Sequence, residues 1–177
     1  MKTLFAILAM TGLAAAPVHA ALAVGAAAPD FTAEASLGGK TFDFHLDEAL
    51  KKGPVVLYFY PAAFTKGCTI EAHDFAEATD KFAALGATVI GVSHDGIAKL
   101  KEFSVSECRS KFAVAADPEG KVIGAYQTKM PILPYADRTS YVIAPDHKVI
   151  FSYTDMNPDQ HVSLTMAAVE AWKAKHP

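Results

Sequence analysis

A buried strand that leads through a proline and a short loop into a long helix is the feature that most constrains this fold. The apolar run Val55–Tyr60 is rich in β-branched and aromatic residues, which predicts a buried strand. Pro61 ends this strand. From Thr65 onward, apolar and small residues recur every three or four positions, as on one face of a helix. That face consists of Cys68, Ala72, Phe75, Thr79 and Phe82.

Cys68 falls in the first turn of this predicted helix, on the side that faces the protein. Free backbone N–H groups and the positive end of the helix dipole lie there. Both favour a thiolate over a thiol, so the position suits a reactive cysteine. Position alone is equally compatible with a small buried hydrophobic residue, since many free cysteines are of that kind.

The residues before Cys68 favour the reactive interpretation. Pro61, Thr65 and Cys68 form the pattern P-x-x-x-T-x-x-C directly after a strand, which resembles the peroxidatic motif of the peroxiredoxins. The continuation Gly67–Ala72 is similar to the Q-type, or bacterioferritin comigratory, branch of this AhpC/TSA superfamily. The resemblance implies that Cys68 attacks a peroxide and that Pro61 shapes the loop and shields the thiolate. It also implies that Thr65 places a hydroxyl group within reach of the sulfur and the bound peroxide.

Arg138 supplies the second part of the predicted site, directly before the apolar strand Thr139–Ala144. Taken alone, it predicts a surface arginine paired with Asp137. In the peroxiredoxins, an arginine followed by Thr or Ser and an apolar strand points at the peroxidatic sulfur, and the resemblance assigns that role to Arg138. A guanidinium stays charged, so it can stabilise a thiolate and the charge on a departing oxygen. Glu71 matches a recurrent acidic position of the family and either orients Arg138 or is a solvated helix charge.

The implied reaction reduces hydrogen peroxide or an organic hydroperoxide and leaves a sulfenic acid on Cys68. A second thiol must then resolve this acid. The Q-type pattern often carries a resolving cysteine five residues after the first, but His73 occupies that position here and is assigned no catalytic role. Cys108, late in the helix predicted over 97–111, is the remaining internal candidate. The alternative is that Cys108 only packs in its helix and an external thiol resolves the sulfenic acid.

The remaining pattern predicts an α/β protein with a thioredoxin-like fold, in which helices flank a central mixed β-sheet. This fold assignment also depends on the resemblance to the peroxiredoxins. Ser93 or Asp95 is expected to cap the helix over 97–111. The seven histidines show no metal-ligand spacing and are predicted to lie on the surface or in loops. The other predicted elements are a hairpin over 31–44, a short helix over 46–52, strands over 87–93 and 112–116, a helical turn over 122–126, a hairpin over 139–153 and a final helix over 159–175.

The N-terminus has the order of a secretory signal peptide, with Lys2, the apolar run Leu4–Ala16 and small residues before Ala20. We expect cleavage after Ala20, which leaves residues 21–177 as one peroxiredoxin domain in the periplasm or outside the cell. The alternative is an uncleaved anchor, but the apolar run is shorter than the about 20 residues that span a bilayer. A net charge of −3 without basic clusters argues against partners such as nucleic acid or an anionic membrane.

No cofactor or metal is predicted, and the expected partners are a peroxide substrate and a thioredoxin-like or other thiol reductant. The chain is expected to be a monomer or a homodimer. The alternative function is an exported thioredoxin-like copper-binding module, but those proteins use a C-x-x-x-C pair that this chain lacks. The apolar loop Met130–Tyr135 either binds a partner or covers the site.

Overall fold

The computed structural model describes residues 21–177, so the predicted signal peptide lies outside the described residues. A seven-stranded sheet forms the centre of the described chain, with the strand order β2-β1-β5-β4-β3-β6-β7. The strands are β1 (Thr32–Leu37), β2 (Lys40–His45), β3 (Val55–Phe59), β4 (Thr88–Ser93), β5 (Ala113–Ala116), β6 (Thr139–Ile143) and β7 (Val149–Thr154). The helices are α1 (Leu46–Leu50), α2 (Lys66–Ala84), α3 (Ile97–Ser106), α4 (Lys121–Ala125) and α5 (His161–Lys175), and the short 3-10 turn Pro158–Gln160 precedes α5.

The pairing of the strands confirms the predicted mixed sheet. β3, β4 and β5 run parallel, because the helices α2 and α3 connect them as crossovers. β6 pairs antiparallel with β3, and β1 pairs antiparallel with β5. In the β3–β6 pair, Phe59 lies opposite Thr139, so the end of β3 and the start of β6 meet at the same edge of the sheet. The Pro61 loop and Arg138 leave from this edge.

The residues of β3 divide between two buried layers. Val55, Leu57 and Phe59 pack on the side of α1 and α4, whereas Val56 and Tyr58 pack on the side of α2, α3 and α5. Every residue of the strand is buried, which is the pattern of a strand covered by helices on both faces. Burial of each large apolar side chain contributes about 1.5–3 kcal/mol.

Tyr58 fixes α2 over the sheet. Its ring stacks on Phe75 of α2, with ring centroids 4.4 Å apart. On the neighbouring strand, Gly91 lies opposite Tyr58, and a Cβ atom at that glycine would come 2.6 Å from the Tyr58 ring. The absence of a side chain at Gly91 therefore leaves the space into which the Tyr58 ring fits, and α2 packs on that ring.

Two sequence predictions about α3 are wrong. The helix ends at Ser106, and Cys108 lies in the turn that follows, because Arg109 and Ser110 take left-handed backbone angles (φ of 50° and 55°) that a helix excludes. The residue that precedes the helix is Gly96 rather than Ser93 or Asp95. Within residues 21–177, no helix is both long and apolar enough to cross a membrane.

Candidate active site

The loop between β3 and α2 presents Cys68 at the edge of the sheet. Pro61 follows the buried end of β3 and is itself half-buried. Phe64 takes a left-handed φ of 66°, which is uncommon for a bulky residue and is typical of loops whose shape the surrounding structure imposes. Its ring packs edge-on against Phe103 of α3, with ring centroids 5.2 Å apart. This contact holds the loop in place, and α2 begins directly after Thr65.

Cys68 lies in the first turn of α2 and is only 1% exposed. The first backbone hydrogen bond of the helix runs from the N–H group of Thr69 to the carbonyl oxygen of Thr65, at 2.9 Å. The preceding N–H groups of the first turn have no partner within the helix and give this end a partial positive charge. The predicted placement of Cys68 in the first turn of a helix is therefore confirmed, and the residue is almost completely shielded from solvent.

The Arg138 side chain lies beside this sulfur. Its Nη2 atom is 3.5 Å from the Cys68 Sγ, and its Nε donates a hydrogen bond of 3.0 Å to the Met156 carbonyl oxygen. The arginine is 3% exposed. The alternative of a surface arginine paired with Asp137 is therefore wrong. Burial disfavours the charge of Arg138, yet Glu71 and Cys68 together raise the pKa of its guanidinium above the ordinary value.

Glu71, one turn after Cys68, is fully buried and pairs with Arg138. Its Oε2 accepts a hydrogen bond from Nη1 of that arginine, whereas its Oε1 has no hydrogen-bond partner within residues 21–177. Burial raises the pKa of Glu71 to about 8, although the charge of Arg138 acts in the opposite direction. Of the two alternatives for this residue, the solvated helix charge is wrong. The carboxyl group instead holds the guanidinium beside the sulfur.

His161, the first residue of α5, was not predicted to be part of the site, and the expectation that every histidine lies on the surface or in a loop is wrong for it. The side chain is fully buried, and its Nδ1 lies 3.7 Å from the Glu71 Oε1. Nδ1 is also 2.8 Å from the Ser140 hydroxyl, and Nε2 is 2.9 Å from the Asp155 carbonyl oxygen. Burial lowers the pKa of His161, which favours the neutral ring.

Asp95, which follows β4, holds the loop before α2 through a hydrogen bond to its backbone. Its carboxylate accepts hydrogen bonds from the Ala63 N–H group at 2.7 Å and from the Ser93 hydroxyl at 2.9 Å. Its other oxygen pairs with Lys99 of α3. The acidic residue after β4 therefore fixes the Cys68 loop instead of capping α3. The only signal in the sequence was an acidic residue at the carboxyl end of a parallel strand, an edge where functional groups of α/β proteins gather.

Thr65 directly precedes α2, and its side chain is exposed. Its hydroxyl group donates a hydrogen bond of 2.9 Å to the Ala62 carbonyl oxygen rather than to the Cys68 sulfur. The oxygen of this hydroxyl keeps lone pairs that can accept a hydrogen bond from a substrate.

Cys108 is fully buried in the layer that also holds Cys68, and both thiols are free. Burial raises the pKa of the Cys108 thiol, so it is a poor nucleophile in this conformation. Three exposed or half-exposed side-chain contacts join the Cys108 turn to α2: the contact of His73 with Glu107 and the ion pairs of Arg109 with Glu77 and of Lys111 with Asp80. Exposed pairs of this kind contribute about 0–1 kcal/mol each, so they hold the turn weakly.

The surroundings of Cys68 do not suit a metal ion. The guanidinium 3.5 Å from its sulfur would repel a cation. Within the part of the chain that the structure describes, no group of three or more His, Cys, Asp or Glu residues is arranged to hold a metal. The alternative of a copper-binding module is therefore not favoured.

A cysteine at the start of a helix, beside a buried arginine on a thioredoxin-like sheet, defines a thiol-based redox protein. The AhpC/TSA family model matches residues 24–152, and the chain belongs to that family. A protein of Mycobacterium tuberculosis named as a putative peroxiredoxin is 34% identical over 130 residues, which cover 71% of this chain and 84% of that protein.

Two further comparisons agree on the branch and the fold. A chloroplastic peroxiredoxin Q of Oryza sativa subsp. japonica is 32% identical over 149 residues, which cover 83% of this chain and 66% of that protein. The crystal structure of the peroxidoxin BcpB from Mycobacterium tuberculosis superimposes with a TM-score of 0.77 at 31% identity and covers 84% of this chain and 96% of that one.

Proposed function

We propose that the protein is a thiol peroxidase of the peroxiredoxin Q type, with Cys68 as its peroxidatic residue. The observation that carries this proposal is the Arg138 guanidinium 3.5 Å from a sulfur that lies in the first turn of a helix. Both groups present positive charge to the same atom, which stabilises a thiolate. The named relatives, all peroxiredoxins, support the assignment.

In the first step, the Cys68 thiolate attacks one oxygen of hydrogen peroxide or of an organic hydroperoxide. A sulfur–oxygen bond forms as the oxygen–oxygen bond breaks, and the sulfur loses two electrons to the peroxide. The departing oxygen takes a proton and leaves as water or an alcohol, and Cys68 becomes a sulfenic acid. Negative charge moves from the sulfur to the departing oxygen during this step, and the guanidinium of Arg138 would stabilise the charge on both atoms.

Thr65 and Pro61 complete the proposed site. The Thr65 hydroxyl already donates its proton to Ala62, so it would accept a hydrogen bond from the peroxide and hold the substrate in line with the sulfur. Pro61 shapes the loop that covers Cys68, and this cover shields the thiolate from larger molecules.

The second step joins the sulfenic sulfur to another thiol and releases water. Within the chain, Cys108 is the proposed partner, and a thioredoxin-like or other thiol reductant would then restore both thiols by exchange. Cys108 must leave its buried position to react. The left-handed residues Arg109 and Ser110 store strain next to it, and weak surface pairs hold the turn, so local opening should cost far less than global unfolding.

We also propose that the chain is exported and that residues 21–177 are the mature enzyme. The support is the basic, apolar and small-residue order of residues 1–20. N-terminal sequencing of exported protein should begin at Ala21, and Met1 retained in a membrane fraction would contradict the proposal.

Stopped-flow measurement of peroxide consumption tests the function. The wild-type protein with a thiol reductant should turn over hydrogen peroxide, and Cys68→Ser should abolish the first step, because a serine hydroxyl is scarcely ionised and cannot be oxidised in this way. Cys108→Ser is the matched control and should keep the first step. A Cys68→Ser protein that still consumes peroxide at the wild-type rate would refute the proposed role of Cys68.

Peptide mapping after one equivalent of peroxide tests the second step. The expected product of the wild type is a Cys68–Cys108 disulfide within one chain. Recovery of Cys68 as sulfenic or sulfinic acid with Cys108 still free would mean that an external thiol resolves the enzyme.

A further inference from the structure

The turn after β7, which contains Asp155 and Met156, contacts two buried side chains, those of Arg138 and His161. The Asp155 N–H group donates a hydrogen bond of 3.2 Å to the Arg138 carbonyl oxygen, and the Met156 carbonyl oxygen accepts one of 3.0 Å from the Nε of Arg138. The backbone of this turn therefore holds the arginine at both its main chain and its guanidinium. Among the described residues, the guanidinium is otherwise bound only through Glu71 and the sulfur of Cys68.

His161 anchors the same turn from α5. Its Nε2 lies 2.9 Å from the Asp155 carbonyl oxygen. A carbonyl oxygen can only accept a hydrogen bond, so Nε2 must carry the proton. In the neutral ring, Nδ1 is then an acceptor, and it receives the hydroxyl proton of Ser140 at 2.8 Å. Both nitrogens are satisfied, and the ring orientation is fixed in a fully buried position.

The ionisable groups around His161 come from every element that packs on it. Glu71 faces it from α2 at 3.7 Å, and the charge of Arg138, the residue directly before β6, also acts on it. The Tyr153 ring of β7 packs against the imidazole, with ring centroids 4.9 Å apart, and the Asp155 carboxylate lies on the same turn. Burial and the charge of Arg138 disfavour an imidazolium and outweigh the opposite effect of the Asp155 carbonyl and carboxylate groups, so the pKa of His161 is lowered and the neutral ring with a proton on Nε2 contacts the turn.

We propose that His161 is a positioning residue of the peroxidase: through its hydrogen bond to the Asp155 carbonyl group, it fixes the turn that directs the Arg138 guanidinium at Cys68. His161 touches neither the sulfur nor the substrate and acts only through Arg138. The inference rests on the proposed function, since the guanidinium is the group that stabilises the reacting thiolate.

Two substitutions separate this hydrogen bond from simple filling of the space. In His161→Gln, the terminal amide can reach the position of Nε2 and donate to the Asp155 carbonyl group. In His161→Asn, the shorter side chain can replace only Nδ1, so the contact with the turn is lost. His45→Asn, which exchanges an exposed histidine on the edge strand β2, serves as the control substitution.

The readout is the midpoint of Cys68 alkylation against pH, measured in a Cys108→Ser background. His161→Asn should move this midpoint up by about one unit, the lower end of the about 1–3 units that an opposite charge within a few ångströms contributes. Below the wild-type midpoint, the rate of the first peroxide step should fall by about tenfold, because a one-unit shift there corresponds to a tenfold change in thiolate population. His161→Gln should remain close to wild type in both measurements. Equal midpoints in all proteins would overturn the proposal, and so would equal losses in His161→Asn and His161→Gln.

A measurement on the unaltered protein covers the case in which His161→Asn does not fold. Nitrogen-15 NMR of labelled histidine distinguishes the two ring tautomers, and His161 should carry its proton on Nε2. A proton on Nδ1 alone would overturn the proposal, because Nε2 could then not donate to Asp155. Alkylation and NMR need no peroxide, so the two proposals can fail separately. A wild-type protein without peroxidase turnover would refute the proposed function. An active wild type with unchanged midpoints in the variants would refute the role of His161.

Discussion

Replacing Arg138 by methionine should separate two functions of its guanidinium, which are to neutralise Glu71 and to stabilise the Cys68 thiolate. Methionine fills a similar volume without charge. Removal of one partner from a buried pair costs about 3–5 kcal/mol, because a charge is left without compensation. The arginine is 3% exposed and Glu71 is fully buried, but Glu71 can take up a proton once Arg138 is removed, and this limits the cost at a given pH.

The cost should depend on pH because the pKa of Glu71 is about 8. At pH 9, one unit above this pKa, Glu71 is ionised in the folded wild type but should be protonated in Arg138→Met, so the variant should lose about 1.4 kcal/mol more free energy of unfolding than at pH 6. At pH 6, Glu71 is largely protonated in both proteins, so the loss should fall to that of the hydrogen bonds, about 1–3 kcal/mol. Urea unfolding at the two pH values measures both quantities.

A second substitution isolates the chemical contribution. Arg138→Met combined with Glu71→Gln should remove the extra loss seen at pH 9, since no carboxyl group has to be protonated there. Measured below the wild-type midpoint of Cys68 alkylation, the first peroxide step should stay slow in the double variant, by about 10- to 1,000-fold, because the loss of an opposite charge shifts a thiol titration by about 1–3 units. Arg109→Met is the matched control: its pair with Glu77 is exposed, and the cost should not exceed about 1 kcal/mol.

Two outcomes would refute this reasoning. If Arg138→Met and Arg109→Met cost the same at pH 9, Glu71 does not depend on Arg138 for its charge. If the double variant regains the wild-type rate together with its stability, the guanidinium stabilises the fold and not the reaction.

Three further predictions follow from burial and packing. Because the pKa of Glu71 is raised from 4.5 to about 8 in the folded protein, its protonation stabilises the fold fully below about pH 4.5, and this stabilisation is lost as the pH rises through about 8. Glu71→Gln should therefore flatten the dependence of the unfolding free energy on pH between about 4.5 and 8. Gly91→Ala should destabilise the protein by about 1–3 kcal/mol in urea unfolding, because its Cβ would come 2.6 Å from the Tyr58 ring. Gly124→Ala, in a helix with no atom within 4 Å of the new Cβ, should instead stabilise it by about 0.4–1 kcal/mol, and equal effects of the two would contradict the packing argument. Alkylation of the fully buried Cys108 should be far slower than that of a free cysteine and should accelerate in urea below the unfolding midpoint, whereas a rate independent of urea would show that the thiol is already accessible.

Local sequence determined most of the fold around Cys68. The run Val55–Tyr60 specifies a strand buried on both faces, because every one of its side chains is apolar or aromatic. The three- and four-residue spacing after Thr65 specifies a helix and places Cys68 in its first turn. Arg138 was found from its place before a strand together with the family pattern, and its 3.5 Å contact with the sulfur confirms that it points at Cys68.

Tertiary structure alone decided the electrostatics of the site. The contact between Cys68 and Arg138 spans 70 residues, and the pair between Arg138 and Glu71 spans 67. No local periodicity encodes such a pairing, since it depends on the register of β6 against β3. The burial of His161 could not be predicted from the sequence either, because its sequence neighbours are those of a surface helix end. Its burial comes from the contact of α5 with α2 and β6. The polarity of a residue is a property of the sequence, but whether its charge is solvated or lies beside another buried charge depends on which elements pack around it.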